Sequence, residues 1–301
     1  MKRRLSYVFG GTVIAWCLTP SLASAQASPN DDPNPPWKEE AAKRPTPRTA
    51  DGKPDLSGVW ERSQASIDLK YSVSNYGERG VSESGQGVQF WKGRGEVVGA
   101  QSFINLERDH GVRLRGEENK PQYKPEHWER IRTLDENGNK EDPDFVCLPM
   151  GVPRMGPPDR IVQTPKELFF FYTRHNTNRI IPMNKPLPPI ENWLGESWLG
   201  TPSARWEGDT LVIESVDFAG DAAWLEFPGF VSSYEKRVTE RYTRTGDLLK
   251  WEAIVDDPEM LLEPWHENPW YLRIDPDPKA ELRVSTPCRD TSHEHIGKER
   301  G

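Results

Sequence analysis

Three polar residues of this chain stand where strand alternation could give them acid–base chemistry: His175, Glu240 and Asp217. His175 closes an aromatic run over residues 167–176. In that run one face holds Leu168, Phe170, Tyr172 and Arg174, and the other Phe169, Phe171, Thr173 and His175. Neither face is uniformly polar, so the run reads as a strand covered on both sides or set in a barrel with a partly polar cavity. Either Arg174 or His175 then borders the interior. An imidazole with an ordinary pKa near ~6.5 suits a general acid or base; the alternative is a polar strand end at the solvent rim. Glu240 lies between Val238 and Tyr242, opposite a face of Arg237, Thr239, Arg241 and Thr243. That polar face reads as solvent, which turns Glu240 inward. A buried carboxylate there needs an Arg or Tyr partner or a raised pKa, as a ligand anchor, a catalytic acid or half of a structural ion pair. Asp217 ends the strand that starts at Thr210. Asp256 and Asp257 precede Pro258 and read as turn residues.

Aromatic residues supply the second constellation. Eleven Trp remain once Trp16 is set aside, and Trp193, Trp198, Trp224, Trp265 and Trp270 fall in loops, the last two of them beside Pro. Such residues line a ligand mouth or seal barrel ends as core. With strand positions added, the candidate ligand-binding set is Trp60, Tyr172, Arg174, Trp198, Trp206, Tyr242 and Trp265. For metals the best group is Cys288, His293 and His295, but the spacing matches no standard zinc site. No Asp-x-Asp-x-Asp-Gly loop supports calcium. Nor does the chain hold a Gly-x-Ser-x-Gly elbow, a His-Glu-x-x-His helix, a phosphate-cradling loop or a dinucleotide fingerprint. No cofactor and no metal is expected.

The elements that must position these residues are mainly antiparallel strands. Residues 198–258 carry two hairpin signatures, one turning at Glu207-Gly208-Asp209 and one at Thr245-Gly246-Asp247. Further strands are expected at 160–163, 167–176, 179–183 and 270–274. An opening strand puts Leu56, Gly58 and Trp60 on one face, where Gly58 permits a close backbone approach and Trp60 forms a plug. A short helix begins near Pro125, with Trp128, Ile131 and Leu134 on one side and Gly138 after its end. Residues 63–116 show no clean period. The expected fold is all-β: a lipocalin-like antiparallel barrel or strongly curved meander of about eight to ten strands, with one short helix and long Pro-rich loops.

The first 25 residues read as a secretory signal: basic Lys2, Arg3 and Arg4, an apolar stretch over 7–18, and Ala23-Ser24-Ala25 before Gln26. The apolar stretch falls short of the ~20 residues a membrane span needs. Losing the signal moves the formal net charge from −8 to −11, which argues against nucleic acid or an anionic membrane as partner. A periplasmic or secreted protein with no integral membrane span is expected. The remaining cysteines, Cys147 and Cys288, are then most simply a disulfide, and closing a loop of about 140 residues would stabilise the fold by roughly 5 kcal/mol. Residues 26–53 read as an extended or disordered arm, 54–287 as one barrel-like domain and 288–301 as a polar tail.

Several stretches together resemble an uncharacterised family of secreted bacterial proteins. They are residues 49–60 (TADGKPDLSGVW), Cys147-Leu148-Pro149 with Gly151, Pro153 and Arg154, Arg205-Trp206-Glu207-Gly208-Asp209-Thr210-Leu211, Glu240-Arg241-Tyr242, Asp256-Asp257-Pro258 and Pro264-Trp265. The resemblance implies export and a lipocalin-like fold, and carries no activity. The long insert between Trp60 and Cys147 and Arg289 after Cys288 depart from the pattern. An exported, β-rich chain with many loop Trp and no recognised catalytic motif leads to the expectation of an exported carrier of an apolar or aromatic small molecule. The alternative is an isomerase, lyase or hydratase on the same scaffold, using His175, Glu240 or Asp217 for acid–base catalysis.

Overall fold

The computed structural model describes residues 36–62, 121–136, 141–219, 224–226, 230–267, 269–282 and 288. The expected signal segment, residues 63–116, Gly138, His293 and His295 lie outside the described residues.

Twelve strands are described: β1 (Gly58–Arg62), β2 (Arg160–Gln163), β3 (Glu167–Phe171), β4 (Asn178–Pro182), β5 (Thr201–Glu207), β6 (Thr210–Val216), β7 (Trp224–Glu226), β8 (Phe230–Val231), β9 (Arg237–Thr245), β10 (Leu248–Asp256), β11 (Trp265–His266) and β12 (Trp270–Ile274). Nine of them form one antiparallel sheet in the order β4-β3-β2-β1-β12-β10-β9-β6-β5, with β11 added to β10 and β7–β8 forming a separate pair. The sheet curls until its two edges meet, which makes the molecule an all-β, barrel-like fold. Nine alternating strands leave both edge strands pointing the same way, so β4 and β5 can only meet in parallel. They do so at a single bridge, Met183 with Ala204.

Strand alternation decides what fills the interior. In β9, Val238, Glu240, Tyr242 and Arg244 are buried while Thr239, Arg241 and Thr243 are partly exposed. In β10, Leu249, Trp251, Ala253 and Val255 point the same way. Together with Trp60, Ile161, Leu168, Phe170, Ile181, Leu211, Ile213 and Leu272 they belong to one hydrophobic cluster. On the outer face ion pairs take over, across strands between Arg205 and Glu214 and between Arg241 and Glu207, and along single strands between Arg205 and Glu207 and between Lys250 and Glu252.

Each end of the barrel is covered by chain. At one end residues 41–57 lie across the hairpin turns. Ala41 O accepts from Asp247 N–H at 2.9 Å, Thr46 Oγ1 from Gly246 N–H at 2.8 Å, and Arg48 grips Asp209 with two nitrogens. Arg244 reaches from inside to the carbonyls of Gly246 and Asp55 and stacks its guanidinium 5.1 Å from the Trp60 ring. This is the part of the expected disordered arm that the structure describes. It carries a helix, α1 (Pro36–Ala42), and is anchored by hydrogen bonds that its own composition does not announce. Gly58 does meet a close neighbour, but that neighbour is the Ile274 side chain rather than a backbone.

At the other end residues 142–159, 217–219, 232–236 and 257–261 close the barrel. Arg154 and Asp142 form a buried two-pronged pair at 2.7 Å for both contacts. Asp257 accepts from Ser233 N–H and Oγ–H, each at 2.6 Å. Helix α2 (Trp128–Glu136) follows a 3₁₀ turn that begins at Pro125, as its sequence predicts. Ile131 is buried, whereas Trp128 is 61% exposed and anchored by its indole N–H to the Tyr123 carbonyl. Cys147 and Cys288 are joined in a disulfide, tying Cys288 to this end. No helix among the described residues is long and apolar enough to cross a membrane.

Candidate functional site

The polar residues that the fold gathers lie inside the barrel, on its most regular strands. Arg179 of β4 and Glu240 of β9 meet there with Nη2 and Oε2 2.7 Å apart, their side chains 1% and 0% exposed. The same Nη2, which carries two hydrogens, also donates to Ser215 Oγ of β6 at 3.2 Å. Arg179 Nη1 donates to the Tyr172 hydroxyl at 3.4 Å. The other carboxylate oxygen of Glu240 accepts from Tyr242 Oη–H at 2.9 Å and from the Trp251 indole N–H at 3.2 Å. Phe170 packs edge-on to Tyr242 with ring centroids 5.3 Å apart.

Each member owes its place to local structure. Arg179 and Ile181 share the inward face of β4, paired with Phe170 and Leu168 of β3. Tyr172 follows the end of β3, and its N–H is held by the Thr177 carbonyl at 2.9 Å. Glu240 and Tyr242 are two apart on β9, and Trp251 of β10 lies directly opposite Tyr242. Ala253 faces Glu240 in the same register, and its small side chain leaves the carboxylate room.

Burial and charge act against each other in this cluster. Burial works against the Arg179 charge, but the facing Glu240 outweighs it and holds the guanidinium more firmly protonated than usual. Burial, reinforced by the negative Glu240, pushes the Tyr242 hydroxyl well above its ordinary value. The phenol therefore stays a donor at every physiological pH. Among the described residues Arg179 Nε–H finds no acceptor. An unmade buried donor of this kind costs about 1–3 kcal/mol. The chemistry on offer is orientation by hydrogen bonds: a fixed cation, a fixed anion and two phenols in apolar surroundings.

The other sequence candidates fall elsewhere. Glu240, Tyr172 and Tyr242 come together; His175 and Asp217 join neither them nor each other. The strand expected over 167–176 stops at Phe171, and Arg174, His175 and Asn176 form a 3₁₀ turn with His175 at φ 54°. Asp159 stops the strand by accepting from both Thr173 N–H and Oγ1–H, at 2.7 and 2.9 Å. Alternation therefore does not reach Arg174 or His175. Both contact Asp144, His175 through Nε2 at 2.6 Å. Burial raises the Asp144 carboxyl, but Arg174, Arg154 and His175 outweigh it and hold it below its ordinary value. Asp217, in a left-handed conformation at φ 60°, accepts from the backbone N–H groups of Leu194 and Gly195.

Trp60 is buried beneath the arm with its indole N–H on the Leu56 carbonyl. Trp206 is half-buried, with Lys53 Nζ 5.9 Å from its ring. Trp198 is half-buried in the loop before β5, and Trp265 is buried in the core on β11. Outside the barrel a groove of about 340 Å³ lies where β10 passes from β12 to β11, lined by Arg241, Glu252, Ile254, His266 and Glu267 among others. Cys288 is occupied by its disulfide, and no group of three metal-ligating side chains occurs among the described residues.

Arg179, Ser215 and Trp251 were not legible as site residues. Arg179 alternates with Asn178 and Ile180 so that each face of its strand carries one polar and one apolar residue. The need of Glu240 for an Arg or Tyr partner was legible, and the structure supplies both. No family model matches the chain, and no curated protein or solved structure matches it.

Proposed function

We propose that this protein is an exported carrier that holds an apolar or aromatic small molecule inside its barrel. The observation that carries the reading is the buried Arg179–Glu240 cluster. It places a few fixed polar groups among apolar walls made by Phe170, Tyr242, Trp251 and Ile213. Small-molecule sites have this composition: apolar area supplies affinity, and a small number of polar groups sets orientation. Export is supported by the signal-like first 25 residues, the Cys147–Cys288 disulfide and the resemblance to secreted bacterial proteins.

The enzyme reading has less support. His175, Asp217 and Glu240 occupy separate places, and each is engaged with its own partners. A common substrate would not reach all three.

Trp251 touches Glu240 and serves as a built-in reporter. Titration with a panel of apolar and aromatic ligands is expected to give a saturable change in Trp fluorescence. Removing both phenols, Tyr172→Phe with Tyr242→Phe, is expected to weaken binding about tenfold or more. A panel in which nothing shifts or quenches the emission would overturn the carrier reading.

A further inference from the structure

With both barrel ends covered by chain, the wall is the remaining route to Arg179, and the wall has one weak line. Along β4 and β5 the ladder is interrupted: past the Met183–Ala204 bridge, held by Asn184 N–H on the Ala204 carbonyl at 2.7 Å, no further pairing joins the two strands among the described residues. The free backbone groups can be assigned. Tyr172 N–H on the Thr177 carbonyl and Met183 N–H on the Lys166 carbonyl fix the odd-numbered residues of β4 as those bonded to β3. Asn178 and Ile180 therefore turn their N–H and C=O toward the seam. On the opposite side β5 presents Pro202, which has no N–H to give. The Ile180 side chain is 55% exposed, so the long connection between the two strands does not cover this edge. Arg179 sits between these two residues with its guanidinium on the inside, and Ser215 holds it from the β5–β6 side.

We infer that the β4–β5 seam is the ligand entrance and that the ligand carries a hydrogen-bond acceptor, a carboxylate, sulfonate or carbonyl, that takes the Arg179 Nε–H. The inference rests on the carrier reading above. An N–H of guanidinium only donates, so the group that completes it must accept. Anionic and carbonyl acceptors suit the planar cation best. An entering molecule passes an edge that lacks backbone bonds to break, and meets Arg179 before it meets Glu240.

Two probes with the same ring system test the acceptor: 1-anilinonaphthalene-8-sulfonate and the neutral N-phenyl-1-naphthylamine. The sulfonate is expected to bind the wild-type protein about tenfold tighter or more, an advantage that vanishes in the Arg179→Met, Glu240→Gln double variant. Equal affinities in the wild type would overturn the acceptor assignment. For the entrance, Ile180→His with Thr201→His places imidazoles on the outer face across the seam, three residues back from the Met183–Ala204 bridge on both strands. Zinc is expected to slow uptake of both probes at least tenfold in the double variant and in neither single variant, with EDTA restoring the rate. Zinc that raises Tm yet leaves uptake unchanged would overturn the entrance. Should zinc leave Tm unchanged, amide exchange decides: the Ile180 N–H is expected to exchange like an exposed turn while Ile181 is protected, and equal protection sinks the seam. Failure of both probes to bind at all would instead count against the carrier reading itself.

Discussion

Arg179 and Glu240 pair at 2.7 Å although their strands are not neighbours in the sheet; from β4 to β9 the short way round crosses β5 and β6. The contact exists only because the sheet closes on itself. It also crosses the line where closure is thinnest, as does the Arg179–Ser215 bond, so the side-chain contacts of Arg179 and one backbone bridge hold the same seam. The single ladder contact there makes the ion pair a structural tie as well as the proposed ligand anchor.

Removing one partner should therefore cost more than removing both. Arg179→Met or Glu240→Gln alone leaves the partner's buried charge unpaired, a loss of about 3–5 kcal/mol in comparable buried pairs. The double variant is expected to recover at least half of that loss in urea denaturation, since two neutral side chains of similar volume fill the same space. A double variant as unstable as the sum of the singles would show that the pair is not coupled.

Lys236 carries a second buried charge, with Nζ donating to the Val152 carbonyl at 3.1 Å and lying 4.2 Å from the Phe218 ring. Burial pushes its pKa down to about 7, with Asp257 partly opposing. The unfolded chain holds that proton up to the ordinary lysine value, so between the two values it binds more protons than the folded state. Stability contributed by this group accordingly rises with pH from about 7 toward about 10. Lys236→Met is expected to be more stable than the wild type at pH 7 and to lose that rise, as read from thermal melts between pH 6 and 10.

Asp144 gives the opposite window. Its carboxyl is held below the ordinary value, burial being outweighed by Arg174, Arg154 and His175. The stability it contributes is present above the unfolded-state value near ~4 and is lost as pH falls through the lower folded value. Asp144→Asn should be less stable at pH 6 and show a shallower acid loss below about pH 4. Parallel urea midpoints from pH 2 to 6 would check this, and identical slopes for the two proteins would contradict it.

Gly208 and Gly246 occupy the two hairpin turns, and both have φ +60°. A Cβ at Gly208 meets nothing within 4 Å, while one at Gly246 would stand 2.5 Å from the Ala41 carbonyl and 2.6 Å from that of Arg44. Gly208→Ala should then cost only the left-handed backbone, about 1–2 kcal/mol. Gly246→Ala should cost visibly more and release the arm, which limited proteolysis between residues 41 and 57 would detect. Equal costs would mean that the arm does not rest on that turn.

How much of this could be read beforehand differs from residue to residue. The hairpins at Gly208 and Gly246 were legible because a short Gly-bearing turn between alternating runs is a local signal, complete within about twenty residues. The inward direction of Glu240 followed from the same alternation. The reach of the strand before His175 was not legible: Asp159, on another segment, halts it by capturing Thr173. Likewise residues 36–53 look too polar to bury a core, yet they dock because the hairpin turns offer unpaired N–H groups and an Asp209 carboxylate at the right distance.

The chain's alternation and turn residues settled by themselves that it is an antiparallel β protein and which faces of its central strands are buried. Those properties depend on neighbours within one hairpin or on composition, so no coordinates are needed to find them. Only the tertiary structure decided that nine strands close through a parallel seam and that Arg179 is the residue facing Glu240. Those facts depend on which distant segments meet, and β4 carries one polar and one apolar residue on each face, so nothing within the strand itself could choose.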